Sequence, residues 1–325
     1  MRLATLKNKT RDGELIIVSE DAQSYVSAAE LYPHMQSALE SWSEALPQLT
    51  ELQKKLDQGE LKALKFSPEL VHSPLPRAYQ WVDGSAFIHH IKLVRMARGA
   101  ALPETLKTVP LMYQGGSDDF LAPTSDIPQR DFSHGTDFEG EVAVITTDVP
   151  MGVSATQALN HVALIMLVND VSSRGLIPAE LKNGFGFLQS KPSSAFSPLA
   201  ITPDELGASW KEGRVHLPLN VTYNGEFFGK ANAKEMFFNF GELIAHAAKT
   251  RNLCAGTIVG SGTVSNESPE AGSSCLAEKR MIEKINEGEF KTEFMKAGDQ
   301  IKINMLDLNN KNLFGDINQK VVAVD

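Results

Sequence analysis

Asp137-Phe-Glu-Gly-Glu-Val-Ala-Val-Ile145 sets two carboxylates, Glu139 and Glu141, at the head of an apolar run. Val142 to Ile145 reads as the start of a buried strand. Residues i and i+2 of a strand point to one face. Glu139 and Glu141 are therefore expected side by side against a core. Carboxylates that close do not both stay ionised unless one takes a proton or a cation sits between them. A hard divalent cation with oxygen ligands meets that need. The stretch thus predicts a Mg²⁺- or Ca²⁺-type site on a buried strand.

Outward from this strand, further short apolar segments are separated by Gly, Pro, Asn and Asp, at 163–168, 215–223, 257–261, 300–305 and 319–324. Segments 155–161 and 232–250 read as helices, the second with Asn232 as N-cap and Lys249 in its last turn. Long βαβ alternation is absent, as is any Gly-rich phosphate loop. The expected class is α+β, mostly β, with a mixed sheet and peripheral helices. Upstream, strands at 2–6 and 14–18 flank the turn signal Asp12-Gly13. Residues 28–64 read as helical. Leu39, Trp42, Leu46, Leu49, Leu52 and Leu56 form a packing stripe there, and Pro47 is the expected break. Ser73-Pro-Leu-Pro-Arg77 reads as a linker. It divides a small N-terminal domain, 1–72, from a larger one, 73–325.

The chain's 325 residues can bury a large core. Lys plus Arg total 31 against 40 Asp plus Glu, a net charge of −9. That balance argues against nucleic acid, whose expected footprint is a basic patch. No signal-peptide pattern stands at Met1-Arg2-Leu3, and no apolar run is long enough to span a membrane. Cys254 and Cys275 are far apart, in no Cys-x-x-Cys spacing. They predict a reducing compartment, with neither a disulfide framework nor a zinc site. The cytoplasm is the expected location.

Asp170 ends the apolar run Ala163-Leu-Ile-Met-Leu-Val-Asn-Asp170. It reads either as a turn-starting residue or as a third carboxylate beside Glu139 and Glu141. His89-His90 follows Asp83-Gly-Ser-Ala-Phe-Ile. A packed structural histidine and a group titrating near neutral pH both fit. Lys191 lies in the small-residue loop Gln189-Ser-Lys-Pro-Ser-Ser-Ala-Phe-Ser-Pro198, where it is either a solvated amine or a ligand contact. Gly260-Ser-Gly-Thr-Val264 and Tyr113-Gln-Gly-Gly116 either turn the chain or present groups to a ligand.

Together these residues resemble the fumarylacetoacetate hydrolase family. Glu139-x-Glu141, Asn169-Asp170-Val-Ser-Ser-Arg174, Lys191 with Ser197-Pro198, and Ser261-Gly-Thr263 occur in that family's order, over about 73–325. Asp83 resembles the extra carboxylate ligand of the fumarylacetoacetase branch, and His90 matches its catalytic histidine. Glu278, in Ser274-Cys-Leu-Ala-Glu278, resembles the glutamate that orients that histidine. Residues 1–72 would resemble that branch's N-terminal domain.

The resemblance implies a mixed β-sheet roll, a homodimer and a divalent metal, Mg²⁺ with Ca²⁺ or Mn²⁺ as alternatives. Its ligands would be Glu139, Glu141, Asp170 and Asp83. It implies a hydrolase cleaving a C–C bond in a diketo acid, fumarylacetoacetate or a related acylpyruvate. Such a reaction belongs to aromatic catabolism, tyrosine degradation included. His90 would act as base, Glu278 as its orienter and Lys191 as oxyanion stabiliser. Arg174, Arg98, Tyr113 and Thr263 would contact substrate. Alternatives are a 2-oxo acid hydratase or decarboxylase of the same family, or a non-catalytic metal-binding protein. One departure stands out. The hydrolase branch usually continues with Asp and then Gln after the arginine, where this chain has Gly175-Leu-Ile177. Fumarylacetoacetate itself and a less polar or differently branched acylpyruvate both stay open as the substrate.

Overall fold

The computed structural model describes residues 1–97 and 99–325. The stretch that opens the sequence reading forms the centre of the main sheet. Strand Gly140–Thr146 is buried along its whole length, as is its antiparallel partner Val162–Asn169. Eleven strands join among the described residues, with Ala195–Phe196 pairing to Val162–Asn169 off the main order. On one side of this central pair the order runs through Ala200–Ile201, Arg2–Leu6, Glu14–Val18, Ser24–Ser27 and Leu64–Lys65. On the other side lie Ile258–Gly260, Trp81–Gly84 and Met112–Gly115. Ile258–Gly260 pairs parallel with Trp81–Gly84 and antiparallel with Gly140–Thr146, so the sheet is mixed. A second sheet orders Glu226–Asn232, Pro218–Tyr223, Gln300–Met305, Ile317–Ala323 and Ile127–Gln129. The chain is α+β, with helices around the sheets.

Alternation along the central strands builds two cores. Val82, Val142, Val144, Ile165 and Leu167 join Leu219, Val221, Ile301 and Ile303 of the second sheet. Trp81, Ala143, Ile145, Met166 and Val168 face the other way, among Leu39, Leu49 and Leu56 of two helices. Those helices are Met35–Glu40 and Trp42–Asp57. Both faces of the sheet are thus covered, and its strands read as apolar runs. Residues 1–72 do not stand apart from this sheet. Arg2 pairs with Ile201, so the N-terminal strands extend it.

Several local expectations need correction. Pro47 lies inside the Trp42–Asp57 helix, and the break falls instead at Ser41, the C-cap of the preceding helix. Leu46 is 37% exposed and leaves the packing stripe, while Ala45 and Gln53 enter it. The helix expected from Asn232 begins only at Phe240. Asn224 and Gly225 both have positive φ, the signature of a two-residue hairpin turn. They fold 226–232 back onto 218–223, and Asn232 caps only the short turn Ala233–Glu235. Asn239 caps the true helix, with Glu242 completing a capping box. The segment expected as one strand at 215–223 divides into Arg214–Val215 and Pro218–Tyr223. Two further helices, Ile88–Ala97 and Leu276–Glu287, carry His90 and Glu278.

Trp81 explains two glycines in the neighbouring strands. A Cβ added at Gly115 or at Gly260 would run into its indole ring. Trp81 is only 1% exposed and has no room to retreat. Gly115→Ala should therefore cost about 1–3 kcal/mol, the usual range for overpacking. A urea titration checks it, and an unchanged midpoint would contradict this packing.

Candidate active site

Five adjacent strands bring the site together. Asp170 follows Val162–Asn169, and Glu141 lies on Gly140–Thr146 with Glu139 just before it. Gly262 and Thr263 follow Ile258–Gly260, Asp83 lies on Trp81–Gly84, and Tyr113 on Met112–Gly115. Asp83 and Glu141 share the parity of Trp81 and Ala143. They therefore extend one face of the sheet.

Ligand atoms of Asp83, Glu141 and Asp170 all lie within 4.8 Å of one another, and all three residues are buried. Among the described residues no donor reaches either carboxylate oxygen of Glu141. Burial, then the charges of Asp83 and Asp170, push its pKa well up. Burial and Asp170 do the same to Asp83, although the Gly262 N–H donates to its Oδ1 at 3.1 Å. Orphaned buried oxygens among like charges are what a hard divalent cation resolves. This donor set could hold such a cation.

Glu139 lines the same cavity as Glu141 but lies outside this group of three. Its Oε2 accepts from Lys191 Nζ at 2.8 Å, and its Oε1 meets Arg174 Nη2 at 2.5 Å. Burial disfavours its charge, yet Arg174 and Lys191 outweigh burial and hold its pKa far below the carboxylate range. Lys191 Nζ also donates to Asp170 Oδ2 at 2.5 Å. Burial opposes the ammonium, but Asp170 and Glu139 prevail and keep it protonated. The Tyr113 hydroxyl donates to Asp170 Oδ2 at 2.5 Å, and the Ser194 hydroxyl to Oδ1 at 2.9 Å.

Arg174 is held from two sides. Its Nε donates to Asp137 Oδ2 at 2.8 Å while Nη2 faces Glu139. Asp137 in turn accepts from the N–H groups of Leu276 and Ala277, at 2.7 and 2.9 Å. It therefore fastens the first turn of the helix bearing Glu278. His90 Nδ1 lies 3.9 Å from Glu278 Oε1. The Ser265 hydroxyl donates to that same oxygen. Burial pushes the Glu278 pKa up to about 7. A second possible ligand group, His90, Cys275 and Glu278, offers softer N and S donors.

A cavity of about 250 Å³ is lined by Asp83, His90, Tyr113, Glu139, Glu141, Arg174, Lys191 and Thr263. The structure thus gathers the expected residues, with Glu278 behind His90 and Asp170 beneath Lys191. Arg98 lies outside the described residues. The sequence reading missed Asp137, Arg95 and Phe187. Arg95 is one turn beyond Ile91 on its helix, and both line the cavity. Ile177 and Leu181 make part of the wall apolar. Gly175 stands at a close approach, where a Cβ would sit 3.1 Å from the carbonyls of Ser133 and His134. An aspartate there would crowd that backbone.

The family model for the fumarylacetoacetate (FAA) hydrolase C-terminal region matches residues 80–322. The chain belongs to the fumarylacetoacetate hydrolase family. A model for fumarylacetoacetase N-terminal domain 2 matches residues 1–77. Among curated relatives, 2,4-didehydro-3-deoxy-L-rhamnonate hydrolase of Sphingomonas sp. (strain SKA58) is 28% identical over 49% of this chain and 54% of its own. The match thus spans about half the length of that relative. Oxaloacetate tautomerase YisK of Bacillus subtilis is 25% identical over 79% of this chain and 76% of its own. Maleylpyruvate hydrolase from Sphingobium sp. SYK-6 shares the fold over the full length of both chains, with a TM-score of 0.67 at 15% identity. That protein has been solved with manganese(II) ion and pyruvate. The family is enzymatic, with hydrolases, isomerases and tautomerases among its members.

Glu141→Gln removes one of the crowded carboxylates. Metal-free Glu141→Gln should melt at or above the wild-type temperature. The rise in melting temperature that Mn²⁺ confers on wild type should shrink, since bound ligand stabilises in proportion to affinity. Equal Mn²⁺-induced rises in both proteins would contradict this ligand role.

Proposed function

We propose that this chain is a metal-dependent hydrolase cleaving the C–C bond of a diketo acid of acylpyruvate type. The observation that carries this reading is His90, with Glu278 behind it, on the wall of the cavity that Asp83 and Glu141 of the carboxylate cluster also line. Hydrolysis needs a base to activate water, whereas decarboxylation or tautomerisation has no water to activate.

A divalent cation held by Asp83, Glu141 and Asp170 would supply Lewis acidity toward the oxygens of the 2-oxo acid end. In this scheme the His90 imidazole, beside Glu278, takes a proton from water. The hydroxide oxygen adds to the acyl carbonyl carbon. The bond from that carbon to the methylene then breaks, and the methylene carbon takes up a proton. One carboxylic acid and one 2-oxo acid leave. Glu278 fixes the imidazole tautomer and stabilises the imidazolium. The Lys191 ammonium, held between Glu139 and Asp170, stabilises the oxyanion of the tetrahedral intermediate. Arg174 Nε donates to Asp137, and its Nη2 lies at ion-pair distance from Glu139. Its role in this scheme is to hold Glu139 and, through it, Lys191, more than to clamp a substrate carboxylate bidentately.

The second reading is a tautomerase of a 2-oxo acid. It is favoured by YisK, whose match covers 79% of this chain. Metal-loaded protein incubated with fumarylacetoacetate and a panel of acylpyruvates separates the two. Loss of the diketone absorbance with release of two acids in equal amounts is expected. Enol–keto exchange of oxaloacetate with no acid release from any diketone would favour the tautomerase.

His90→Ala should abolish turnover and leave metal affinity, measured by calorimetry, nearly unchanged. Surviving activity would remove the base assignment. Glu278 is neutral below about pH 7 and ionised above it. If it must be ionised to support His90, kcat/KM should rise with pH through about 7. Glu278→Gln should lower the rate and flatten that limb. An identical limb in the variant would show that another group titrates there.

A further inference from the structure

Beside the active-site cavity lies a second one of about 160 Å³. Val94, Arg174 and Ile177 line both, so the two adjoin. The outer walls of the second are Phe290, Phe294 and Arg280. Arg280 projects from the Leu276–Glu287 helix, and its guanidinium lies 4.9 Å from the Phe290 ring centre and 4.3 Å from that of Phe294. Its Nη1 donates to the Thr292 carbonyl. Rings and carbonyl together fix the group without neutralising it. Among the described residues no carboxylate lies within the 4.0 Å ion-pair distance of it. The neighbouring acid Glu283 is instead occupied by Lys291 N, Thr292 N and Thr292 Oγ1.

A positioned, half-buried guanidinium with no counter-ion among the described residues, on the wall of a cavity lined mainly by apolar side chains, suits one kind of group. That group is a carboxylate on an apolar arm. We propose that the second cavity receives the acyl arm of the substrate, and that Arg280 binds a carboxylate at the end of that arm. The substrate class narrows to acylpyruvates that are dicarboxylic acids. This rests on the proposed function for the orientation of the ligand, with its 2-oxo acid end at the carboxylate cluster. Arg280 sets specificity and takes no part in bond breaking. The apolar wall at Ile177, where the sequence departs from its family's polar pattern, is the passage for the arm.

The test is calorimetry on Mn²⁺-loaded protein with ligands matched in length. 2-Oxoadipate and 2-oxopimelate carry the terminal carboxylate; 2-oxohexanoate and 2-oxoheptanoate do not. Wild type should prefer one or both diacids by roughly 10- to 100-fold, the range of a charge-assisted hydrogen bond. Arg280→Leu and Arg280→Gln should both lose the preference and keep the monoacid affinities. The glutamine variant retains a donor for the Thr292 carbonyl, so it separates lost charge from lost packing. Equal binding of diacids and monoacids by wild type, or a preference that survives both variants, overturns this inference alone. No binding of either class overturns it together with the proposed function.

Discussion

Buried like charge is the constraint on which the rest of this structure depends. Asp83, Asp137, Glu139, Glu141 and Asp170 are all buried within one neighbourhood. Among the described residues two buried cations, Arg174 and Lys191, lie among them. These two order the acids into two kinds. Asp137, Glu139 and Asp170 each have a cationic partner. Among the described residues Glu141 and Asp83 have none, and burial drives both pKa values up. Isolated buried charge is so costly that such a group takes a proton or acquires a cation. The unpaired acids mark where a divalent ion fits, and the paired ones build the frame around it.

That frame connects the chemistry to the fold. From Asp170 the ion pairs run through Lys191, Glu139 and Arg174 to Asp137. Asp137 then holds the start of the helix that carries Glu278. The carboxylate cluster and the His90–Glu278 pair are thus placed by one connected network rather than by separate loops. The two-sided core makes this tolerable. Apolar layers above and below the central strands fix their register, and register fixes which side chains meet at the strand ends. Trp81, filling the space over Gly115 and Gly260, keeps the strand of Asp83 against its neighbours.

Much of this was legible in the sequence where the signal is local. The Glu-x-Glu spacing before Val142 put two acids on one wall, and Asp170, at the end of its apolar run, lies close to Glu141 and Asp83. The Asn224-Gly225 turn was equally local, yet it was not read from the sequence. Long-range partners were not legible. Nothing near Asp137 announces that it will hold a helix that begins at Leu276. Arg174 reads as a substrate clamp from its motif, and only the folded chain shows it donating to Asp137 and at ion-pair distance from Glu139. The helices of His90 and Glu278 were not read from the sequence, and the second lacks the usual N-terminal signal. Cys275 stands at the N-cap of the second, where Ser, Thr, Asp or Asn is favoured.

The central claim is that the excess buried negative charge is met by one divalent cation among Asp83, Glu141 and Asp170. Anomalous diffraction from a crystal soaked in Mn²⁺ tests it most directly. The account predicts one strong anomalous peak within coordination distance of those three carboxylates. A peak beside His90, Cys275 and Glu278 instead, or none at a concentration that raises the melting temperature, would contradict it.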